Sequence, residues 1–582
     1  MIRKRLILMG ILFLCGFCAL ILRLADIQLF STESFSEQNI NLIQKSIEQR
    51  TTGFVINNGR GLIVDRNGQA LNADEKNALV LFPFLKNTDW PVEKVAEIIG
   101  VSPGALKYAV DHAKKPFAYD LKTLTLTDEQ KKAVNALGIP GCEVVTIRYM
   151  RPDQASYIVG AVGENASLVH SRYPELLKAG VVTETTPVGV IGMEEAFDPF
   201  LLSHHEQKLL YHTTATGEPL FGEEVKLSAE SESDYYPLKV VSTLDKSLQE
   251  MVESSLDQSG IEYGGVVLLD AETSNLLAMA SRPAIDPERP FLHPNYMLTP
   301  QYPGSVFKIV TAAAAIQKNI LSPEETFNCN QNPYGDGPAD RRLGQLDFAE
   351  SFYQSCNYTF GSLANRLMET DPKVLDKFAA MLGLMQKSGW SGKVFHFEDF
   401  RQIRDEGQNI IWEDEADRRD HKAIAQTAIG QRNVKLTPLS VANMMATIAR
   451  GGEKRSVRVA TEIDYNKLPG VTLTTFPQQK LPGQTIDRYT AMKLEQLLRG
   501  VVKNPDGTAH SLNDAKYPVA GKSGTAETGH GYTNQWFAGY FPADDPKYVM
   551  VVVDLRHQHG NAVYNVYKEL VNRLYEKDHT KP

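Results

Sequence analysis

The strongest constraint on this chain is a single apolar run near its N-terminus. Arg3, Lys4 and Arg5 precede an uncharged stretch from Leu6 to Leu22, which ends at Arg23. About 17 residues at a rise of about 1.5 Å each span roughly 26 Å as a helix, enough to cross a hydrocarbon core with Arg23 reaching back to the interface. Basic residues ahead of the run hold that end in the cytoplasm, so everything after it is expected outside. A cleaved signal peptide is the competing reading. Against it, no small-x-small site follows, since Leu24, Ala25, Asp26 and Ile27 come next. Cys15 and Cys18 lack the small neighbours of a lipid-attachment signal and read as thiols of a membrane helix. The run marks residues 1–30 as a stub and uncleaved anchor, and leaves an ectodomain that must find its own core.

That ectodomain is long enough for at least two cores in a chain of 582 residues. Hydrophobic residues at 42% and charged residues at 23% are those of an ordinary globular protein. The net charge is −9 with Lys and Arg scattered, which argues against nucleic acid or a polybasic membrane surface as partner. Cys142, Cys329 and Cys356 are the only cysteines beyond the anchor. So sparse and odd a set cannot make a disulfide framework, and stability is expected from packing. His204-His205-Glu206 and His557-Gln558-His559 lack a third well-spaced ligand, and with no C-x-x-C beyond the anchor and no H-E-x-x-H no metal is assigned.

Residues 31–235 mix short apolar runs with charged turns. Gly61 to Gly68 reads as a strand closing in an Asn-Gly turn, with Gln69-Ala70-Leu71 restarting it as a hairpin. Pro91 to Ile99 carries Val92, Val95, Ile98 and Ile99 at helical spacing, and the acidic, Ser-rich stretch from Ser228 to Tyr236 reads as a linker. From residue 236 the texture changes. Val240 to Asp245 is a strand, Lys246 to Ser255 an amphipathic helix, and Gly265 to Asp270 and Leu276 to Ala280 are strands paired across a turn. Long apolar helices follow, strands return at Trp536 to Phe541 and Tyr548 to Leu555, and a last helix runs from about Val563 to Tyr575. Strands at both ends with helices between them predict an α+β fold.

Three short motifs fall in this second region. In Tyr302-Pro303-Gly304-Ser305-Val306-Phe307-Lys308 a Pro-Gly turn opens onto an apolar helix. Ser305 then sits near a helix N-terminus, whose free N–H groups favour developing negative charge, with Lys308 on the same face one turn along. Desolvation lowers the Lys308 pKa and lets it take the serine proton. Taken alone, such a pair is as readily a helix cap beside an exposed lysine. Ser355-Cys356-Asn357, inside a predicted helical run from Phe348 to Met368, offers a proton-relaying hydroxyl and a carbonyl-binding amide. Lys522-Ser523-Gly524-Thr525 suits a sheet strand, where Gly524 admits close approach of a substrate backbone and Lys522 supplies positive charge to a carboxylate. Each of these two is by itself more often a polar helix face or a turn. Lys387-Ser388-Gly389 and Ser511-Leu512-Asn513 match as text but lie in turn contexts. Three motifs in order, each on a suitable element, weigh far more than one.

Together Ser305-x-x-Lys308, Ser355-x-Asn357 and Lys522-Ser523-Gly524 resemble the motif set of the penicillin-binding protein and serine β-lactamase superfamily. Cys356 stands where that set has Asp, and Ser523 where it has Thr; the hydroxyl is kept. Class B penicillin-binding proteins are resembled further in the anchor, Arg60-Gly61 to Gly68, Arg148 with Arg151-Pro152, Gly192-Met193-Glu194, Thr243-Leu244-Asp245, Gly430-Gln431 and Thr437-Pro438-Leu439.

The resemblance implies a pedestal (the dimerisation domain) over residues 31–235 and a β-lactamase-like transpeptidase domain, an antiparallel sheet flanked by helices, over 236–582. It implies a single-pass protein of the bacterial cell membrane that cross-links peptidoglycan stem peptides ending in D-Ala-D-Ala and is acylated by β-lactams. Ser305 is implied as nucleophile, Lys308 as its base, Ser355 as proton relay and Asn357 as carbonyl ligand. Lys522, Ser523 and Thr525 are implied as the carboxylate site beside Gly524, with the oxyanion held by the N–H groups of Ser305 and Thr525. No cofactor is implied. With no E-D-x-x-F-x-x-H stretch, glycan polymerisation falls to a partner, a polytopic membrane glycosyltransferase. The competing functions are a D,D-carboxypeptidase using water on the same site, and a catalytically silent scaffold or β-lactam sensor. A sensor needs a cytoplasmic signalling region, and only Met1 to Arg5 precede the apolar run.

Overall fold

The computed structural model describes residues 2–30, 32, 51–121, 123–150, 156–202, 207–212, 226–229, 238–286, 289–334, 337–339, 341–465, 468, 470–528, 531–557 and 560–580. The apolar run forms helix α1, Ile2–Ala25, and the window Ile7–Leu29, of mean hydropathy 2.5, is long and apolar enough to cross a membrane. Its Leu12, Phe13, Leu20 and Leu22 side chains are exposed and touch no core, as a lipid-facing helix requires.

Strand β1, Leu62–Val64, ends at Asp65, whose carboxylate accepts from the backbone N–H groups of Asn67 and Gln69, both at 2.8 Å. This fixes the predicted Asn-Gly turn and returns the chain so that Ala70 bridges Val64. Strand β2, Ala73–Leu81, pairs antiparallel along its length with β3, Cys142–Met150. Helix α2, Val92–Ile99, lays Val92, Val95, Ala96 and Ile99 against Leu79, Leu81 and Val144 in a small core of its own. Of the predicted linker, Ser228 and Ala229 end a strand, Lys226–Ala229, and Glu230 to Tyr236 lie outside the described residues. Arg151-Pro152 and His204-His205-Glu206 lie outside them too.

Strand β4, Leu238–Ser242, runs parallel to β1 and antiparallel to the strand Ala460–Tyr465, so one sheet joins sequence-distant segments. Asp245 caps helix α3, Lys246–Ser259, by accepting from the Leu248 N–H. Five antiparallel strands follow in spatial order β6-β5-β9-β8-β7, where β5 is Gly264–Asp270, β6 Leu276–Arg282, β7 Ala520–Glu527, β8 Thr533–Phe541 and β9 Tyr548–His557. Val266 to Leu269 and Val549 to Val553 are buried without alternation, because the sheet is covered on both faces. Between β6 and β7 come α4 (Lys308–Gln317), α5 (Phe348–Tyr353), α6 (Asn357–Thr370), α7 (Pro438–Ala449) and α8 (Arg488–Lys503), and α9 (Ala562–His579) closes the fold. Helix α7 packs on β5, β8 and β9, while α3 packs on β6 and α9 on β8 and β9. The α+β architecture, with an antiparallel sheet flanked by helices, is as expected.

Two expectations are corrected. The predicted run from Phe348 to Met368 is two helices, because Ser355 adopts a left-handed backbone, φ +58°, which no helix continues through. Cys329 and Cys356 are disulfide-bonded across 27 residues, so the cysteines do supply one covalent tie; Cys142 stays free and buried.

Candidate active site

The site begins with a turn. Gly304 has φ +53°, and a Cβ there would collide with the backbone of Thr525. Its N–H donates to the Gly430 carbonyl at 3.1 Å. On the opposite side, a Cβ on Gly524 would strike the Pro303 carbonyl. Two glycines thus let the Pro303-Gly304 turn lie directly on β7 beside Gly524 and Thr525. Gly304–Phe307 form one 3-10 turn before α4 starts at Lys308. Ser305 is half-buried in that turn, and its hydroxyl makes no hydrogen bond among the described residues.

Lys308 is fully buried on the apolar helix. Its Nζ donates to the Ser355 carbonyl at 2.9 Å, to Ser355 Oγ at 3.0 Å and to Asn357 Oδ1 at 2.7 Å, with the Phe360 ring beneath it. Burial, then the charges of Lys522 and Arg341, hold its pKa well below the ordinary lysine range. Lys522, also fully buried, donates to Ser355 Oγ at 3.2 Å and to the Ser523 carbonyl at 3.0 Å. Burial and the Arg341 charge bring Lys522 down to about 7. One hydroxyl, Ser355 Oγ, therefore joins the two lysine nitrogens, and its left-handed backbone aims it there. Such strain costs on the order of 1–3 kcal/mol and persists because the surroundings impose it. Here the surroundings include the disulfide at the next residue, Cys356, to Cys329 beside the short hairpin of Thr326–Asn328 with Gln345–Asp347. Ser523 Oγ lies 2.6 Å from Thr508 Oγ1, and Thr525 is exposed on β7.

The structure thus brings Lys308, Ser355, Asn357, Lys522 and Ser523 into one hydrogen-bonded cluster and packs the Ser305 turn against Gly524 and Thr525. It does not hydrogen-bond Ser305 to Lys308. The lysine nitrogen turns instead to Ser355 and Asn357, and such contacts commonly tighten only when substrate is bound. A cavity of about 540 Å³ opens on the Ser355 side, walled by Tyr302, Arg341, Ser355, Asn357, Gln431 and Glu527 among others. Sequence reading missed Arg341, Thr508 and the Cys329 bond, all placed by tertiary contacts with no local pattern. Among the look-alikes, Ser388 and Gly389 give their N–H groups to the buried Glu406 carboxylate at 2.6 and 2.9 Å, and Ser511 sits in a 3-10 turn. His557 holds Asp554 through Nδ1 at 2.7 Å.

The family model for the penicillin binding protein transpeptidase domain matches residues 264–576, more than half of the chain. The chain belongs to the penicillin-binding proteins. It is a serine peptidoglycan D,D-transpeptidase of class B. This penicillin-binding protein is 25% identical to stage V sporulation protein D of Bacillus subtilis, over 95% of this chain and 81% of that protein. It is 23% identical to the peptidoglycan D,D-transpeptidase MrdA of Haemophilus influenzae, over 85% of this chain and 80% of that protein. A solved chain from a peptidoglycan synthase complex that coordinates polymerization and crosslinking has the same fold, with a TM-score of 0.64 at 23% identity over 98% of both chains.

Proposed function

We propose that Ser305 is the nucleophile of this transpeptidase and that Lys308, Ser355, Asn357 and Lys522 serve it. The carrying observation is the convergence of two buried lysines on Ser355 Oγ, beside the turn that holds Ser305 on β7. Lys308, its pKa lowered by burial, takes the Ser305 proton when in its neutral form, as Oγ bonds to the penultimate D-Ala carbonyl carbon. The peptide C–N bond breaks, Ser355 hands its proton to the departing D-Ala amine and is reprotonated by Lys308, and an acyl-enzyme remains. An amine of a second stem peptide then attacks the ester carbonyl, giving up its proton through the same relay, and frees Ser305. The N–H groups of Ser305 and Thr525 hold the oxyanion, each such donor being worth about 3–4 kcal/mol. Lys522 with Ser523 and Thr525 receives the terminal carboxylate, and Asn357 the peptide carbonyl. A β-lactam follows the first half, with its leaving amine still tethered.

We further propose that residues 31–235 act as a pedestal for a transpeptidase domain over 236–582. In this reading α1 is a single-pass anchor with a cytoplasmic N-terminus and an extracytoplasmic site. A polytopic membrane glycosyltransferase is its partner. The apolar helix and the likeness to a chain of a synthase complex support that arrangement. The deciding experiment is intact-protein mass spectrometry of the detergent-solubilised chain after benzylpenicillin. One adduct is expected on the wild type and none on Ser305→Ala. An adduct surviving in the variant would move the nucleophile elsewhere.

A further inference from the structure

Among the described residues, the cavity beside Ser355 holds a cation without a counterion. Arg341 Nη2 donates to the carbonyls of Gln354 at 2.7 Å and Ser355 at 3.3 Å, which pins the guanidinium to the Ser355 turn. Its Nε and Nη1 have no partner among the described residues, and no carboxylate there lies within ion-pair reach. The cavity's other arginine is already engaged: Arg432 grips Asp417 through Nε and Nη2, both at 2.8 Å. The remaining charged wall residue is Glu527, exposed at the end of β7 and likewise without a partner. Among the described residues, one open cation and one open anion thus line the same cavity. An oxyacid alone would meet the cation and face the anion, whereas a ligand bearing both a carboxylate and an amine complements this lining. Neither Ser305, Lys522 nor Thr525 is part of this wall, so the terminal carboxylate proposed for Lys522 is a different one.

We infer that Arg341 is a specificity residue that receives a second substrate carboxylate, the one a diaminopimelate side chain carries beside its amine and a lysine side chain lacks. The inference rests on the transpeptidase roles proposed above. Arginine suits the task, because its planar fork meets a carboxylate with two parallel hydrogen bonds. The carboxylate belongs either to the acceptor stem, next to the attacking amine, or to the donor stem.

The test is a one-tube competition on the detergent-solubilised full chain. A donor peptide ending in D-Ala-D-Ala is offered with equal amounts of two acceptors. One is a tripeptide with meso-diaminopimelate third; the other is the same tripeptide with that side-chain carboxylate converted to a carboxamide. Both acceptors draw on one acyl-enzyme, so the product ratio is independent of how fast the acyl-enzyme forms. A charged hydrogen bond predicts about a tenfold preference for the carboxylate form. Arg341→Leu should bring the ratio to near one, and Arg341→Lys should retain part of it. A second arm compares acylation kcat/KM for donors carrying the carboxylate or the carboxamide; a preference found there and erased by Arg341→Leu places the carboxylate on the donor. Ratios near one in both arms for the wild type, or preferences that persist in Arg341→Leu, would overturn the inference. Benzylpenicillin labelling of Ser305 is read in parallel. Labelling without any preference fails Arg341 alone, whereas no label and no cross-link removes the proposed nucleophile and this inference with it.

Discussion

Two buried lysines with opposite requirements meet at one hydroxyl. In its proposed role Lys308 is a base only when neutral, and burial together with two neighbouring positive charges favours that state. The carboxylate role proposed for Lys522 needs its protonated form, yet it is held down to about 7. As pH rises, Lys308 gains competence when it loses its proton, and Lys522 loses attraction when it loses its own. The second-order rate of acylation by benzylpenicillin, followed from about pH 5 to about pH 10, is therefore expected to be bell-shaped, with a falling limb beginning near 7. Lys522→Arg keeps its charge over that range and should abolish the falling limb; an unchanged limb would assign it to another group. Ser355→Ala removes the hydroxyl that joins both nitrogens. Acylation is expected to slow by about 10²- to 10⁴-fold, the usual span for a lost proton relay, measured by stopped-flow with a chromogenic β-lactam.

The element that matters most is the break between α5 and α6. A continuous helix would have given Ser355 helical φ and carried its hydroxyl away from the lysines. Instead the left-handed Ser355 ends one helix, Asn357 starts the next, and the bond from Cys356 to Cys329 ties the break to a neighbouring hairpin. Closing a loop of 27 residues contributes on the order of 3–4 kcal/mol by restricting the unfolded chain. Replacing Cys329 and Cys356 together by Ser should lower stability by about that much in chemical denaturation, and an unmoved midpoint would show that the tie is dispensable. The Pro303-Gly304 turn is equally dependent on its neighbours. Gly304→Ala forces a side chain into the Thr525 backbone at a left-handed φ. Benzylpenicillin acylation is expected to fall at least about tenfold, because moving the turn off β7 by even a small distance misplaces Ser305, the proposed nucleophile.

At the scale of the molecule, segments far apart in sequence share cores and sheets. β1 joins β4 in one sheet, and Ile63, Met193, Phe197 and Leu201 pack in the same core as the central sheet. Arg60 pins this junction from inside: its Nε meets Glu194 at 2.8 Å, its Nη2 meets Asp198 at 2.7 Å, and all three side chains are buried. Tyr173 and Asn72 complete the network at Asp198 and Glu194, at 2.6 and 2.7 Å. Truncating one partner of such a cluster leaves buried charge uncompensated. Arg60→Met should cost about 3–5 kcal/mol in chemical denaturation, and a loss below about 1 kcal/mol would mean that water enters and solvates the carboxylates.

The chain by itself determined the apolar helix, the alternation of strands and helices, and the order of the three motifs. These rest on local physics: hydrophobic period, turn chemistry and the reach of one helical turn. Strand positions were legible for the same reason, since Val266 to Leu269 and Val549 to Val553 must be buried whatever surrounds them. Only the folded structure decided the break at Ser355, the Cys329–Cys356 bond, the turn of Lys308 toward Ser355, and the place of Arg341. Each of these depends on groups tens to hundreds of residues away, brought near by sheet pairing and core packing, and no spacing rule carries that information along the chain.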